Sequence, residues 1–199
     1  MSLEQQFDWQ NKIDIKSLEL GELEEHLAAM GQPKFRSKQI YSWLHEKRVD
    51  SFDQMSNLPV ALREQLEQRY YINRLSIIKK LVSKLDGTQK YLLRLKDNNC
   101  VEAVLMKYKY GNSICISTQV GCRMGCKFCA STLAGLVRSL DSSEMLDEIY
   151  TVTRDSGQRV SNVVLMGIGE PLDNYENVMR FLRILSSEQG YNLSLRHLS

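Results

Sequence analysis

The sequence predicts an α/β protein in which a small helical unit and a β-hairpin precede strands that alternate with helices. Three observations carry this reading. Leucines recur at three- and four-residue spacing in the first seventy residues. From about Leu75 the pattern changes to alternation of apolar and polar side chains. Beyond Asp141, apolar strands alternate with helices, as in parallel βα units.

The helical part comes first. Leu20, Leu23, Leu27 and Met30 share one helix face, and Gly31 with Pro33 supplies a stop. A second helix is expected over about Phe35 to Lys47 with Ile40, Trp43 and Leu44 buried. A third opens at Asn57, where Pro59 suits the first turn, and runs through Leu62, Leu66 and Arg69. Lys84-Leu85-Asp86-Gly87-Thr88 then marks a hairpin. Its second strand places Tyr91, Leu93 and Leu95 on one face and Lys90, Arg94 and Lys96 on the other. Val101 to Lys109 and Ser113 to Thr118 continue as strands joined at Tyr110-Gly111-Asn112. A helix over Asp141 to Asp155, with Ser142 and Ser143 as N-cap hydroxyls, precedes the strand Asn162 to Met166. The turn Gly167-Ile168-Gly169-Glu170-Pro171, a helix from about Tyr175 to Ser187 and a strand beginning at Leu193 complete the order. There is no internal repeat and no low-complexity stretch.

Composition narrows the class. The chain has 199 residues, 43% of them hydrophobic and 25% charged, as in ordinary globular proteins. No apolar run is long enough to cross a bilayer, and the stretch Met1 to Gln10 lacks a basic segment followed by an apolar one, so a cytoplasmic location without a membrane partner is expected. The net charge of +2 is unevenly spread: between Arg74 and Lys109 the only acids are Asp86, Asp97 and Glu102. Lys90, Arg94, Lys96, Lys107 and Lys109 are expected to form a basic face suited to polyanions.

All five cysteines, Cys100, Cys115, Cys122, Cys126 and Cys129, lie close together, and their odd number argues against a secreted disulfide framework. Cys122, Cys126 and Cys129 form a C-x3-C-x2-C run. Structural zinc would require a fourth nitrogen or sulfur ligand, and His26, His45 and His197 are not suitably spaced. A ferredoxin cluster would require a fourth cysteine. Three thiolates on a four-iron cluster leave one iron open to another ligand.

This spacing after a strand resembles the radical SAM superfamily. The resemblance implies a [4Fe–4S] cluster on Cys122, Cys126 and Cys129, with S-adenosylmethionine chelated at the open iron and cleaved to a 5′-deoxyadenosyl radical. Gly169-Glu170-Pro171, where a strand turns into a helix, matches the superfamily segment that contacts the aminoacyl part of S-adenosylmethionine, which points to Gly169 and Glu170. The stretch Met106-Lys107-Tyr108-Lys109-Tyr110-Gly111-Asn112-Ser113-Ile114-Cys115-Ile116-Ser117-Thr118-Gln119-Val120-Gly121-Cys122 is similar to the RlmN family. Phe128-Cys129-Ala130-Ser131-Thr132 and Phe35-Arg36-x-Lys38-Gln39-Ile40 extend the similarity over nearly the whole chain.

That resemblance implies methylation of carbon 2 of adenine in 23S ribosomal RNA and transfer RNA, with an electron donor such as flavodoxin or ferredoxin. It aligns Glu102 with the family's proton acceptor. Cys115 aligns with the cysteine that forms a disulfide with a methyl-carrying cysteine to release the product. Cys100 is read as structural. The implied organisation is a helical RNA-binding accessory domain over 1–72, a β-hairpin extension over 73–107, and the N-terminal half of a radical SAM (βα) barrel over 108–199. The methyl-carrying cysteine lies beyond Ser199 in the family pattern, so the chain is expected to be incomplete as an enzyme, with exposed strand edges and apolar faces. The alternatives are a Cfr-type carbon-8 methyltransferase and a non-catalytic iron–sulfur RNA-binding fragment.

Overall fold

The computed structural model describes residues 11–199, so the reading of the Met1 to Gln10 stretch lies outside the described residues. The described chain opens with a two-residue strand, β1 (Ile13–Asp14), and a 3-10 turn over Ile15–Ser17. α1 (Leu20–Ala29) buries Leu23 and Leu27. It ends where Gly31 adopts φ 71° and Gln32 N–H joins Met30 N–H in donating to Leu27 O, a carbonyl of the last turn. α2 (Phe35–His45) buries Ile40, Tyr41, Leu44 and His45, whereas Trp43 is half-buried. α3 (Val60–Arg69) starts one residue after Pro59 rather than at Asn57, since Pro59 itself is extended at ψ 143°. β2 (Tyr70–Tyr71) then pairs in parallel with β1 and closes the helical part on itself.

A five-stranded sheet follows. β3 (Ser76–Val82), β4 (Gln89–Arg94), β5 (Cys100–Tyr108) and β6 (Gly111–Cys115) form an antiparallel meander. β7 (Gln119–Gly121) and β8 (Leu136–Ser139) make a separate antiparallel ribbon. α4 (Ser142–Ser156) carries the chain across the sheet to β9 (Val160–Val164), which pairs in parallel with β6. α5 (Tyr175–Ser186) comes next. The expected strand from Leu193 is instead a 3-10 turn over Leu195–His197, capped by Ser194, and only Leu198 bridges in parallel to Val163. β9 begins two residues earlier than expected because Tyr191 Oη both accepts from Val160 N–H and donates to Val160 O, anchoring the strand there.

Side-chain alternation divides the sheet. Tyr91, Leu93, Val101, Ala103, Leu105 and Ile114 are buried in one core with Met145, Leu146, Ile149 and Val152 of α4. The opposite face, carrying Leu92, Glu102, Val104, Met106 and Cys115, is half-buried. This corrects the expected basic face. Lys90 lies opposite Val104 and Arg94 opposite Cys100, so both share the half-buried face with Glu102. Lys107 alternates with Val101, Ala103 and Leu105 and so projects the other way, past the end of the core. Lys109 lies beyond the end of β5.

α4 is buried almost along its length, and several of its polar groups reach partners on other elements. Its N-cap is Asp141, in a capping box with Glu144, rather than Ser142 or Ser143: an N-cap carboxylate satisfies the first-turn amides, and Ser143 Oγ is used to reach Asp14. Asp147 Oδ1 accepts from the Lys16 ammonium at 2.5 Å, with both side chains fully buried. Asp147 Oδ2 accepts from Leu75 N–H at 2.6 Å, and Lys16 also donates to Asn73 O. One ion pair thus holds the helical part, the segment entering the hairpin and the central helix together.

Lys16→Met should lower stability by about 3–5 kcal/mol, because it leaves the buried Asp147 carboxylate with only the more distant Arg154 guanidinium, at 3.9 Å, as a counter-charge. The Lys16→Met/Asp147→Leu double variant should recover part of that loss, measured as the shift in urea unfolding. His45, fully buried against Tyr41 and bonded to Tyr150 Oη, has its pKa pushed down to about 3 by burial and then by Lys16. A depressed histidine pKa means that the unfolded chain takes the proton first. The neutral-His45 contribution is therefore fully present above pH 6.5 and falls by up to about 1.4 kcal/mol per pH unit as pH drops toward 3. The difference in unfolding free energy between the parent and His45→Gln should change with that slope between pH 6.5 and 5.

Candidate active site

The candidate site lies where β6 and β9 end. After Cys115, Ile116 N–H donates to Val164 O, and Thr118 and Gln119 both donate to Ile168 O. The segment leaving β6 is thereby laid against the turn leaving β9. Gly169 is needed there: it adopts φ 107°, and a Cβ on it would stand 2.6 Å from Gln119 Cβ and 2.8 Å from Gln119 N. Glu170 N–H donates to Gln119 Oε1 at 3.0 Å, while Gln119 Nε2 donates to Asp173 Oδ2 at 2.9 Å. The buried Gln119 amide therefore clips the Gly169–Glu170 turn to the strand that leads directly into the cysteines. Asn174 adds a second clip, donating to Thr118 O and Leu140 O.

Cys122, Cys126 and Cys129 all occur in the loop between β7 and β8. The loop base is tight: Gly121 has φ 74°, and a Cβ there would meet Gly135 O at 2.0 Å, while Cys122 N–H donates to that same carbonyl. Within the loop, Cys129 N–H donates to Cys126 O. Arg123 pairs with Asp173, joining the loop to the 3-10 turn after Glu170. The guanidinium, and then Gln119, hold the Asp173 carboxyl below its ordinary pKa. Cys122 is buried, Cys129 half-buried and Cys126 exposed, and all five cysteines are free thiols. Among the described residues, no three His, Cys, Asp or Glu side chains converge as a ready-formed metal site. The three thiols share one loop and none is consumed in a disulfide, so the donor set fits a three-thiolate ligand; its side chains have still to turn toward one another.

Glu102 and Cys115 point to the same face of the sheet. Cys115 lies opposite Val104, and Glu102 is the next residue of β5 on that face. Ser117 Oγ donates to Glu102 O, bracing the two strands where they leave the sheet. The Glu102 carboxylate is 2.9 Å from the Lys90 ammonium, with both groups nearly half exposed, an arrangement that orients the carboxylate more than it stabilises the fold. Burial, and to a lesser degree the Glu148 carboxyl, pushes the Cys115 thiol up from its ordinary pKa. Glu148 is itself fully buried, accepts from Ser117 N–H, and is raised well above the carboxylate range by desolvation. Phe128, Leu133, Met166 and Leu172 are exposed on the loops after β7 and β9, giving this end of the sheet an apolar rim.

Gln119, Asp173 and Asn174 are the site residues that motif reading missed. The available signal was a glutamine opening a short strand just ahead of the first cysteine. Iodoacetamide at pH 8 should label the exposed Cys126 well before the half-buried Cys115, and the Cys115 rate should keep rising above pH 9 because only the thiolate reacts. Peptide mass spectrometry of timed samples measures both, and equal rates at pH 8 would contradict the burial of Cys115.

Residues 13–72 match the family model described as the Ribosomal RNA large subunit methyltransferase N-terminal domain. A protein from Lachnoclostridium phytofermentans named "Probable dual-specificity RNA methyltransferase RlmN" is 56% identical over 188 residues, covering 94% of this chain and 53% of the relative. Its namesake from Lachnospira eligens is 55% identical over 186 residues, with the same coverage. A crystal structure of a radical SAM methyltransferase from Sphaerobacter thermophilus superposes with a TM-score of 0.85 at 39% identity, covering 94% of this chain and 55% of that one. The chain thus spans about half the length of the relatives it matches. Over the residues they share, it matches the RlmN family of radical SAM methyltransferases.

Proposed function

We propose that the chain is the cluster- and cofactor-binding part of an enzyme that methylates carbon 2 of adenine in 23S ribosomal RNA and transfer RNA. The observation that carries this reading is the Gln119 clip, which brings the Gly169–Glu170 turn against the base of the cysteine loop. Cys122, Cys126 and Cys129 would hold a [4Fe–4S] cluster, with S-adenosylmethionine as the second cofactor. When bound, these two groups would supply one-electron reductive chemistry. The Glu170 carboxylate, its backbone tied to Gln119, suits the cationic amine of S-adenosylmethionine. Glu102 accepts a proton from the adenine ring, and its ion pair with Lys90 holds it oriented for that task. Cys115, a neutral thiol in its half-buried setting, is reserved for disulfide formation with a methyl-carrying cysteine outside this chain. The apolar rim at Phe128, Leu133 and Met166 would help exclude water from the reacting groups.

The N-terminal unit over 1–72, whose described residues begin at 11, is assigned as an RNA-binding accessory domain, 73–107 as a hairpin extension, and 108–199 as the first half of a radical SAM barrel. An electron donor such as flavodoxin or ferredoxin would serve it in the cytoplasm. Among the described residues no helix is long and apolar enough to cross a membrane.

Anaerobic reconstitution with iron and sulfide should yield about one four-iron cluster per chain, because three thiolates at this spacing hold three irons and leave one exchangeable. Cys126→Ala should abolish it. Addition of S-adenosylmethionine to the reduced protein should alter the electron paramagnetic resonance spectrum, and Glu170→Gln should weaken that response without changing iron content. Tetrahedral zinc taken up in preference to iron would overturn the assignment.

A further inference from the structure

A cleft of about 530 Å³ lies between the helical part and the end of the β4–β5 turn, away from the cysteine loop. Tyr70, Tyr71 and Asn73 line one side, and Arg74, Arg94 and Lys96 bring three cations to it. Lys96 is engaged with Tyr71, donating to its hydroxyl. Arg74 and Arg94 are exposed and, among the described residues, neither has a carboxylate within ion-pair distance. Asn73 is 3% exposed, and its amide Nδ2 has no acceptor among the described residues. Two acids, Asp50 and Glu67, also border the cleft, and Asp50 accepts from Gln54 at 2.7 Å. Unpaired guanidiniums beside an unsatisfied amide donor form a donor-rich wall that calls for an anionic, oxygen-rich ligand.

The register of the sheet relates this cleft to the candidate site. Arg94 lies opposite Cys100 on the half-buried face, and Glu102 is the next residue of β5 on that face. Residues in that diagonal relation are about 7–8 Å apart, their Cβ atoms somewhat less. A phosphate held by Arg94 would therefore belong to the nucleotide set before Glu102 or to its neighbour. The cleft is too small for a helical duplex but suits a single strand.

We propose that this cleft binds the sugar–phosphate backbone of a single-stranded RNA segment beside the target nucleotide, with Arg74 and Arg94 as its phosphate ligands. The inference rests on the reading of the chain as part of an RNA-modifying enzyme, and it moves the RNA contact from the hairpin surface at large to one site. Lys107 and Lys109, at the far end of the sheet, supply the comparison.

The test uses the 199-residue chain and a fluorescein-labelled single-stranded oligoadenylate, with anisotropy titrations over a range of salt. Arg74→Gln/Arg94→Gln should weaken binding about tenfold or more. It should also reduce the slope of log affinity against log salt by about 1.4, the value for two phosphate contacts on a single strand. Lys107→Gln/Lys109→Gln should leave that slope near the parental value. Equal losses in the two double variants, or an unchanged slope in the arginine variant, would overturn the cleft while leaving RNA binding intact. A parent chain that binds no oligoadenylate at low salt would overturn both the cleft and the RNA reading. Inorganic phosphate competing as well as unlabelled strand, at equal phosphate concentration, would assign the cleft to a free anion. Oligoglutamate competing as well at equal charge would assign it to an acidic peptide.

Discussion

The structure depends on a buried ion pair. Lys16 and Asp147 have no access to water, and desolvation would penalise each of them severely without the other. Their geometry is over-determined: Lys16 donates to Asn73 O as well, and Asp147 accepts from Leu75 N–H and Thr151 Oγ. Asp14 repeats the arrangement a turn away, reaching Ser17 and Ser143. The helical part cannot slide on α4 without stranding these groups, so the cleft formed by residues 70–74 and 94–98 has a defined position.

α4 extends the same logic across the molecule. One side holds Asp147 to Lys16; another presents Glu144 to Arg138, which also pairs with Asp97 in the β4–β5 turn. Arg138 lies on β8, directly after the cysteine loop, so the capping box of the central helix, the end of the hairpin and the exit of the loop share one guanidinium. Glu148 adds a hydrogen bond to Ser117 N–H, two residues beyond Cys115. The elements that frame the candidate chemistry are therefore tied to a single helix, and the cysteine loop remains the exposed part between two clamped ends.

Charge is distributed by register more than by composition. A run rich in lysine and arginine reads as one basic surface, yet the strands send Lys90 to Glu102, Lys80 to Asp155 and Lys96 to Tyr71. Lys107 projects to the other side. The guanidiniums of Arg74 and Arg94 remain for an external anion, and they come from different elements, one before β3 and one at the end of β4. Their proximity is a product of packing.

Much of the local structure could be read from the chain. Leucine spacing located α1, Gly31 its end, and the Lys84–Thr88 turn the hairpin, because helix and strand periods and positive-φ turns are properties of short segments. The cysteine run was legible for the same reason: its ligands sit within a few residues of one another. Single-sequence reading placed β9 two residues late and assigned a strand at Leu193, where Tyr191 and Ser194 redirect the backbone through contacts no local pattern records. It also missed Gln119, whose role exists only because the turn at Gly169 packs against it. Sequence by itself determined which segments form helices and strands and which thiols share a loop. Tertiary structure decided that Gly169–Glu170 meets that loop, that Glu102 and Cys115 share a face, and that Lys16 finds Asp147. Each of these joins residues distant in the chain, and burial makes their polar groups costly to leave unpaired.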